Sequence, residues 1–198
     1  MSDDLFLFGY GSLMFKTNFE YVSWEPAYVR GFQRVFYQGS CDHRGVPGSP
    51  GRVATMLRQE DGIVTGVLFR IAAAHKEDAI AALDLRERAG YAQYSVPSFR
   101  FVSGGQFDDA VKLTDSAVCY IATEDNEEFL GPRTEKELAA EIVVRRGPSG
   151  SNAEYLIKVA EALRLLGAED PHIFAIERHV KSALGVDSSL ALLKEIPL

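Results

Sequence analysis

The sequence predicts an α+β fold, because strand-like segments fill its first half and helical segments fill its second half. The first half is rich in β-branched and aromatic residues separated by glycine and proline, a composition typical of short strands joined by turns. The second half carries apolar residues at helical spacing, with capping residues before them and glycines after them. A doubly wound parallel sheet would require strands and helices to alternate, so this class is disfavoured.

The length and composition predict one domain that covers residues 1–198. Hydrophobic residues make up 46% of the chain and charged residues 25%, which is ordinary for a globular protein with a buried core. A chain of this size can bury such a core without disulfides or metal. Intrinsic disorder is therefore excluded as the main state.

Six segments of the first half are predicted to form strands. Glu60-Asp61-Gly62, between two of them, predicts a hairpin turn. The stretch from Gly39 to Gly51 is dense in glycine and proline and too long for an ordinary turn, and long loops in compact domains often carry function. The predicted strands are Leu5–Phe8, Tyr28–Tyr37, Arg52–Leu57, Ile63–Arg70, Tyr94–Phe101 and Ser116–Ile121.

One helix, from about His75 to Arg88, is predicted to interrupt the strands. Ile80 and Leu83 mark its buried face. Glu87 follows Ile80 by seven residues, which places the two side chains within ~20° of each other around the helix. The pattern therefore predicts a carboxylate on an apolar stripe at the end of the helix.

Three further helices are predicted in the second half from their capping residues. Thr134 with Glu137, and Ser151 with Glu154, match the capping-box pattern, and Asp170 before a proline predicts an N-cap with proline in the first turn. Glycines predict the helix ends. The first of these helices has Leu138 and Ile142 on its predicted apolar face and ends at Gly147-Pro148. The second has Leu156, Val159, Leu163 and Leu166 on its face and ends at Gly167. The third has Ile173, Ile176, Val180 and Leu184 on its face and ends at Gly185.

The charge and the termini indicate the class of partner and the compartment. The net charge of −7 disfavours a nucleic-acid partner, although a local basic pocket for a small anion stays possible. The N-terminal Met-Ser-Asp-Asp is acidic where a signal peptide needs cations, and no apolar run approaches the roughly 20 residues that span a bilayer. With only two cysteines, Cys41 and Cys119, we expect a cytoplasmic protein with no membrane partner.

Glu87 is the first candidate for chemistry. A carboxylate half-buried among apolar groups has a raised pKa, which makes it a better base near neutral pH than a surface glutamate. The alternative is an ion pair with Arg86, Arg88 or a distant arginine. On position alone the ion pair is the commoner arrangement.

The second candidate is the motif Phe8-Gly9-Tyr10-Gly11-Ser12-Leu13, which follows the first predicted strand. Its two glycines allow the backbone to approach a ligand closely and to aim amide N–H groups at a carboxylate or a developing oxyanion. The motif matches no Rossmann fingerprint, phosphate-binding loop or nucleophile elbow. The alternative is a plain turn that ends a strand.

The third candidate for chemistry is the predicted loop from Gly39 to Gly51. Asp42, His43 and Arg44 lie together on it, and Arg44 and Arg52 could clamp a substrate carboxylate. Alternatively, Asp42 and Arg44 organise their own loop. A catalytic pair of Cys41 with His43 is disfavoured, because residues two apart rarely face each other at the needed distance.

Neither a metal site nor an assigned role for Tyr155 follows from the spacing. None of the four histidines has the H-E-x-x-H pattern, and His172 and His179 lie too far apart along one helix to share a metal readily. No metal is therefore expected.

Tyr155, just after the segment Gly147–Asn152, is either a core residue or a pocket residue.

Taken together and in order, these segments resemble the ChaC family of glutathione-specific γ-glutamylcyclotransferases along nearly the whole chain. Each motif is weak alone, and the ordered set is specific. Met14-Phe15, Cys41 and Arg88-Ala89 depart from the family pattern without removing a group that the chemistry needs. The matching segments are Phe8–Leu13, Gln38-Gly39-Ser40, Asp42–Gly48, Pro50–Val53, Leu83–Arg88 with Gly90-Tyr91, Leu130–Pro132, Gly147–Gly150, Asn152 and Glu154–Leu156.

The resemblance implies a γ-glutamylcyclotransferase-like fold, a small mixed β-barrel with flanking helices. It also implies a lyase that cleaves glutathione into 5-oxoproline and cysteinylglycine without metal or organic cofactor. The family's acid/base carboxylate falls on Glu87. The implied substrate-binding loop is Leu7, Phe8, Gly9, Tyr10, Gly11 and Ser12, and we add Leu13, Arg44, Arg52 and Tyr155 as further candidates.

Two other functions remain open at this point. The first is release of 5-oxoproline from other γ-glutamyl amines, although the Asp42–Gly48 segment favours glutathione. The second is a non-catalytic sensor of glutathione, which the presence of Glu87 disfavours. Oligomeric state is not predicted.

Overall fold

The computed structural model describes residues 4–87, 90–102 and 106–185, and its centre is a closed barrel of five strands. The strand order around the barrel is β1-β3-β2-β4-β5. Strands β1 and β5 pair in parallel and the other neighbours pair antiparallel, so the barrel is mixed, as predicted. The strands are β1 (Leu5–Gly9), β2 (Ser23–Ser40), β3 (Gly51–Ile71), β4 (Ala92–Val102) and β5 (Gln106–Ile121).

Four helices flank the barrel within these residues, which confirms the α+β class. One helix lies between β3 and β4, and the other three follow the barrel. Across the described ranges, none of them is long and apolar enough to cross a membrane. The helices are α1 (Lys76–Arg86), α2 (Glu135–Val144), α3 (Asn152–Leu166) and α4 (Pro171–Leu184), and a short hairpin of β6 (Arg146–Gly147) and β7 (Gly150–Ser151) precedes α3.

The predicted hairpin at Glu60-Asp61-Gly62 is wrong, because this segment lies inside the continuous strand β3. The β2–β3 pairing passes from Arg30 opposite Ile63 directly to Phe32 opposite Arg58. Residues 59–62 therefore bulge opposite Gly31, which has a positive φ of 80°. The turn-forming residues bend a long strand here, where the prediction had them reverse the chain.

The capping residues start the helices where the sequence predicts. Thr134 and Glu137 form both bonds of a capping box at α2. The Ser151 hydroxyl accepts from the Glu154 N–H at α3, and the Asp170 carboxylate accepts from the Ile173 N–H at α4. Left-handed glycines end α3 and α4 at Gly167 and Gly185.

Three details of the helix prediction need correction. Helix α2 ends at Val144, and Gly147-Pro148 instead lies in the β6–β7 hairpin. Leu184, placed on the apolar face of α4, is 43% exposed, because it is the last helical residue and lies a full turn past buried Val180. Helix α1 ends at Arg86, and Arg88 lies outside the described residues.

Two buried arginines of the barrel bind the helical layer. Arg34 on β2 donates to the Asp170 carboxylate at 2.7 Å, at the start of α4. Arg52 on β3 donates through Nε to the Glu141 carboxylate of α2 at 2.7 Å and through Nη1 to the Gly131 carbonyl at 2.8 Å. These charge-assisted bonds fix the helices on the barrel and hold the segments that border the site.

Candidate active site

A pocket of about 320 Å³ lies where the loop after β1, the end of α1 and the β2–β3 loop meet. This volume is within the range of small-molecule pockets, roughly 300–1,000 Å³. The pocket brings together segments that are far apart in the sequence. It is lined by Phe8, Gly9, Tyr10, Gly11, Ser12, Leu13, Phe15, Lys16, Asn18, Gly39, Ser40, Asp42, His43, Arg44, Val53, Ala54, Arg86, Glu87, Tyr91, Tyr120, Ser149 and Tyr155.

The loop after β1 presents its backbone to this pocket. All six residues from Phe8 to Leu13 line it. A Cβ atom at Gly11 would lie 3.2 Å from the Tyr155 hydroxyl, and one at Gly9 would lie 2.7 Å from the Leu13 Cβ. A side chain at Gly9 would therefore force the loop to shift, and one at Gly11 would crowd the Tyr155 hydroxyl, so the two glycines leave room for the backbone to approach a ligand.

Asp42 and Glu87 are the carboxylates among the described residues that line the pocket, and Glu87 is the less exposed of the two. It is the residue that caps α1, and its N–H donates to the Leu83 carbonyl at 2.8 Å. The predicted position on the helical stripe is wrong in detail, because the helix has already ended and φ, ψ at Glu87 are −97° and 24°. The side chain is nevertheless only 17% exposed. It lines the pocket together with the Phe8–Leu13 loop.

Burial raises the pKa of the Glu87 carboxyl, and Arg86 opposes this shift. Desolvation disfavours the charged carboxylate, whereas the Arg86 Nε, 3.4 Å from Glu87 Oε1, stabilises it. The two interpretations of Glu87, a buried base and an ion pair, are therefore both present in one arrangement. A carboxyl group with a raised pKa accepts a proton more readily than a surface glutamate, and it can return that proton later in the reaction.

The end of α1 is fastened to the barrel by a buried leucine and a hydrogen-bond network. Leu83 is fully buried. The Asp84 carboxylate accepts from the Tyr120 hydroxyl at 2.6 Å and from the Gln93 amide at 2.8 Å. These bonds to β5 and β4 fix the helix end that carries Glu87.

Tyrosine hydroxyls form a neutral wall around the carboxylate. Tyr10 donates to the Tyr120 carbonyl at 2.8 Å, Tyr91 donates to the Ala54 carbonyl at 2.9 Å, and the Tyr155 hydroxyl accepts from the Ala54 N–H at 3.3 Å. Burial raises the pKa of Tyr10 and Tyr91 well above its usual value and raises the pKa of Tyr155 to about 12. These hydroxyls stay protonated at neutral pH. Tyr155 is both a buried residue and a pocket residue, so the two alternatives left open for it combine.

The β2–β3 loop also lines the pocket, through Asp42, His43 and Arg44. The Ser40 hydroxyl accepts from the His43 and Arg44 N–H groups at 3.3 and 3.1 Å, so the loop is organised by its own polar groups. Arg44 also lines the pocket, donates to the Ser151 carbonyl at 3.1 Å and lies 3.6 Å from Glu154. Burial lowers the pKa of the Arg44 guanidinium. A partly desolvated cation facing a cavity is suited to a carboxylate ligand.

Two of the predicted binding residues lie away from the pocket. Leu7 is fully buried on β1 and does not line it. Arg52 is 2% exposed, and its guanidinium is engaged by Glu141 and Gly131. The expectation that Arg52 clamps a substrate carboxylate is therefore corrected, because its charge is already neutralised in the interface between barrel and helices.

The two cysteines are not activated as nucleophiles, and the described residues contain no cluster of metal ligands. Burial and the nearby Glu128 raise the pKa of the Cys41 thiol, and burial raises that of Cys119. Both thiols are therefore poor nucleophiles at neutral pH. Within residues 4–87, 90–102 and 106–185, no group of three or more His, Cys, Asp and Glu side chains could hold a metal ion.

A family model described as ChaC-like protein matches residues 5–183, which include all five barrel strands, helices α1 to α3, all of α4 except Leu184, and every pocket residue. The chain belongs to this family. Among ChaC relatives, the glutathione-specific gamma-glutamylcyclotransferase 1 of Danio rerio is 38% identical over 87% of either chain. The gamma-glutamylcyclotransferase 2-3 of Arabidopsis thaliana is 36% identical over 94% of this chain and 93% of its own.

A solved ChaC-type structure has the same architecture. The crystal structure of the glutathione-specific gamma-glutamylcyclotransferase from yeast superposes with a TM-score of 0.83 at 30% identity. The match covers 92% of this chain and 97% of the yeast chain. The γ-glutamylcyclotransferase-like barrel predicted for this ChaC chain is confirmed.

Sequence reasoning did not single out Arg86, Tyr120 or Ser149 as pocket residues. The sequence indicates Arg86 as an ion-pair partner for Glu87 and as part of the ChaC-like segment Leu83–Arg88, and it indicates Tyr120 as part of a predicted strand. Each reaches the pocket through a long-range contact, such as the bond from the Arg86 guanidinium to the Ser12 hydroxyl. No local spacing signals such contacts. For Tyr91, the signal was its place beside Gly90 in the ChaC-like segment.

Proposed function

We propose that this protein degrades glutathione as a γ-glutamylcyclotransferase, releasing 5-oxoproline and L-cysteinylglycine, with Glu87 as its acid/base residue. The observation that supports this proposal most strongly is the largely buried Glu87 carboxylate in the pocket that the Phe8–Leu13 loop lines. ChaC relatives at 34–38% identity that are named glutathione-specific gamma-glutamylcyclotransferases support the substrate.

In the first step, the α-amine of the γ-glutamyl group attacks its own γ-carbonyl carbon. The lone pair of the neutral amine nitrogen forms the new C–N bond of a five-membered ring, and Glu87 takes one of the two amine protons, so that the ring nitrogen keeps one. The attack is intramolecular, so orientation supplies most of the acceleration. The pocket needs only to hold the glutamyl chain folded against Glu87.

In the second step, the tetrahedral intermediate collapses. Its oxyanion is stabilised by backbone amides of residues Tyr10–Leu13, whose single glycine, Gly11, permits the close approach. The bond to the cysteinyl nitrogen breaks, and protonated Glu87 returns its proton to that nitrogen. One carboxylate thus serves as base and then as acid, and no net proton is consumed.

The substrate is held by groups that already line the pocket. We propose that Phe8, Gly9, Tyr10, Gly11, Ser12 and Leu13 contact the γ-glutamyl group and that Arg44 and Tyr155 contact the rest of the substrate. The Arg44 guanidinium lies over the Tyr155 ring, 5.4 Å from its centre, which fixes the direction of the cation. Leu7 and Arg52 are not part of this proposal.

The pH dependence follows from the raised pKa of Glu87. The base must be ionised in the free enzyme, so kcat/KM is expected to fall as pH drops through that pKa. Because burial raises the pKa, the acid limb lies at higher pH than for an ordinary glutamate, whose pKa is about 4.3. A pH profile of kcat/KM checks this, and an acid limb at or below the ordinary value contradicts it.

Competing substrates separate this proposal from its alternatives. Wild-type protein is incubated with glutathione, γ-glutamyl-alanine and γ-glutamyl-lysine, and 5-oxoproline is measured by chromatography. Glutathione is expected to give the highest kcat/KM. Higher rates with the other amides would favour a broader γ-glutamylcyclotransferase, and calorimetric binding of glutathione without product over hours would favour a sensor.

We also propose that the chain acts as one domain, residues 1–198, in the reducing cytoplasm. Cys41 and Cys119 are both free thiols, which suits such a compartment. The substrate is a small molecule, and the proposal involves no nucleic acid, membrane, metal or cofactor.

A further inference from the structure

The Arg86 guanidinium connects the Glu87 carboxylate to the loop after β1. Its Nη2 donates to the Ser12 hydroxyl at 2.6 Å, and its Nη1 donates to the Lys16 carbonyl at 3.0 Å and to the Asn18 side chain at 3.4 Å. Its Nε lies 3.4 Å from Glu87 Oε1. One planar group therefore contacts both the proposed base and the chain that carries the proposed oxyanion amides.

We infer that Arg86 is a positioning residue, which sets the distance between the Glu87 carboxylate and the amides of the Ser12 loop. This inference rests on the proposed function. The rigid fork of the guanidinium holds three acceptors of the loop in fixed directions, which a lysine ammonium cannot do. Displacement of a reacting group by about 1 Å can cost about 100-fold in rate.

The same contact favours the charged form of Glu87 and so opposes the effect of burial. Arg86 is the largest factor that opposes the effect of burial on the pKa of Glu87. Of the other ionisable side chains, His43 lowers the pKa of Glu87 and Asp42 raises it. Lys16 and Arg44 also line the pocket. Five further neighbours stay neutral at pH 7, because burial raises the pKa of each: Tyr10, Tyr91, Cys119, Tyr120 and Tyr155.

The bonds to the loop matter most after proton transfer. Once Glu87 is protonated, its attraction to Arg86 weakens. Arg86 stays in place, because Ser12, Lys16 and Asn18 still hold it. The carboxyl group therefore keeps its position for the return of the proton to the leaving nitrogen.

The test compares Arg86→Lys, Arg86→Gln and Arg86→Ala with a control substitution in a second arginine–glutamate ion pair. The control pair is Arg100 with Glu25, whose Nε–Oε2 distance of 3.3 Å is close to the 3.4 Å between Arg86 and Glu87. Arg100 is 49% exposed on the barrel and does not line the pocket. Wild type, the three Arg86 variants and Arg100→Gln are assayed with glutathione for kcat, KM and the pH profile of kcat/KM, and their thermal midpoints are measured.

Arg86→Lys keeps the charge and is expected to lower kcat about 10- to 100-fold while the acid limb stays where it is. Arg86→Gln is expected to lower kcat further and to move the acid limb to higher pH. Guanidinium ion added to Arg86→Ala is expected to raise the rate of this variant at least about tenfold. Arg100→Gln is expected to match wild type in rate and acid limb.

Three results would overturn the inference while wild type remains active. The first is that the Arg86 variants keep rates within about twofold of wild type. The second is that the acid limb of Arg86→Gln does not move. The third is that the loss of rate follows the loss of thermal midpoint and is not restored by guanidinium. Absence of 5-oxoproline from the wild type itself would instead overturn the proposed function.

Discussion

Replacing Glu87 with glutamine is expected to lower kcat for glutathione cleavage by about 10²–10⁴-fold, the usual contribution of a general acid–base group. Glutamine keeps the size and most of the hydrogen bonding of the side chain, but it cannot accept the amine proton. Binding of glutathione, measured by calorimetry on the variant, is expected to stay near the wild-type value. The loss is therefore expected in kcat and not in KM.

Glu25→Gln is the matched control for this experiment. Glu25 lies on the outside of the barrel, where its carboxylate pairs with exposed Arg100. This variant should keep the wild-type kcat, which separates loss of one particular carboxylate from loss of negative charge. Equal kcat values for Glu87→Gln and Glu25→Gln would remove Glu87 from the mechanism.

Replacing Arg52 with methionine is expected to reduce the free energy of unfolding by about 3 kcal/mol, because it breaks a buried ion pair from one side. Arg52 is 2% exposed, and its loss leaves the Glu141 carboxylate and the Gly131 carbonyl without their donor. Denaturant unfolding measures the change. The KM for glutathione of the folded fraction is expected to stay within about twofold of wild type, since Arg52 does not line the pocket.

Arg133→Met is the control on the same carboxylate. Arg133 is 51% exposed and lies 3.9 Å from Glu141, so its removal is expected to cost less than about 1 kcal/mol. A large rise in KM for Arg52→Met with little loss of stability would restore the earlier expectation that Arg52 binds the substrate carboxylate.

The fold could be predicted as far as local signals reach. The caps at Thr134, Ser151 and Asp170 are set by side chains within three residues, and each begins its helix as expected. The bulge at residues 59–62 could not be predicted, because the same residue types occur in hairpin turns and in bulges. Only the pairing with the other long strand decides between them, and that pairing is not local.

The candidate site divides in the same way. The glycines of the Phe8–Leu13 loop and the carboxylate of Glu87 are recognisable because each has a local pattern or a family motif. Arg44 and Arg52 look alike in the sequence, and tertiary contacts alone separate them. Arg44 faces the pocket, whereas Arg52 is held by Glu141 of a helix that follows β3 by many residues.

Product formation from reduced glutathione, measured by chromatography with wild type beside Glu87→Gln, tests most directly the claim that a single carboxylate carries the proton through both steps. Wild type is expected to release 5-oxoproline and cysteinylglycine in equal amounts, and the variant only traces of either. Near-normal 5-oxoproline from the variant would contradict the claim.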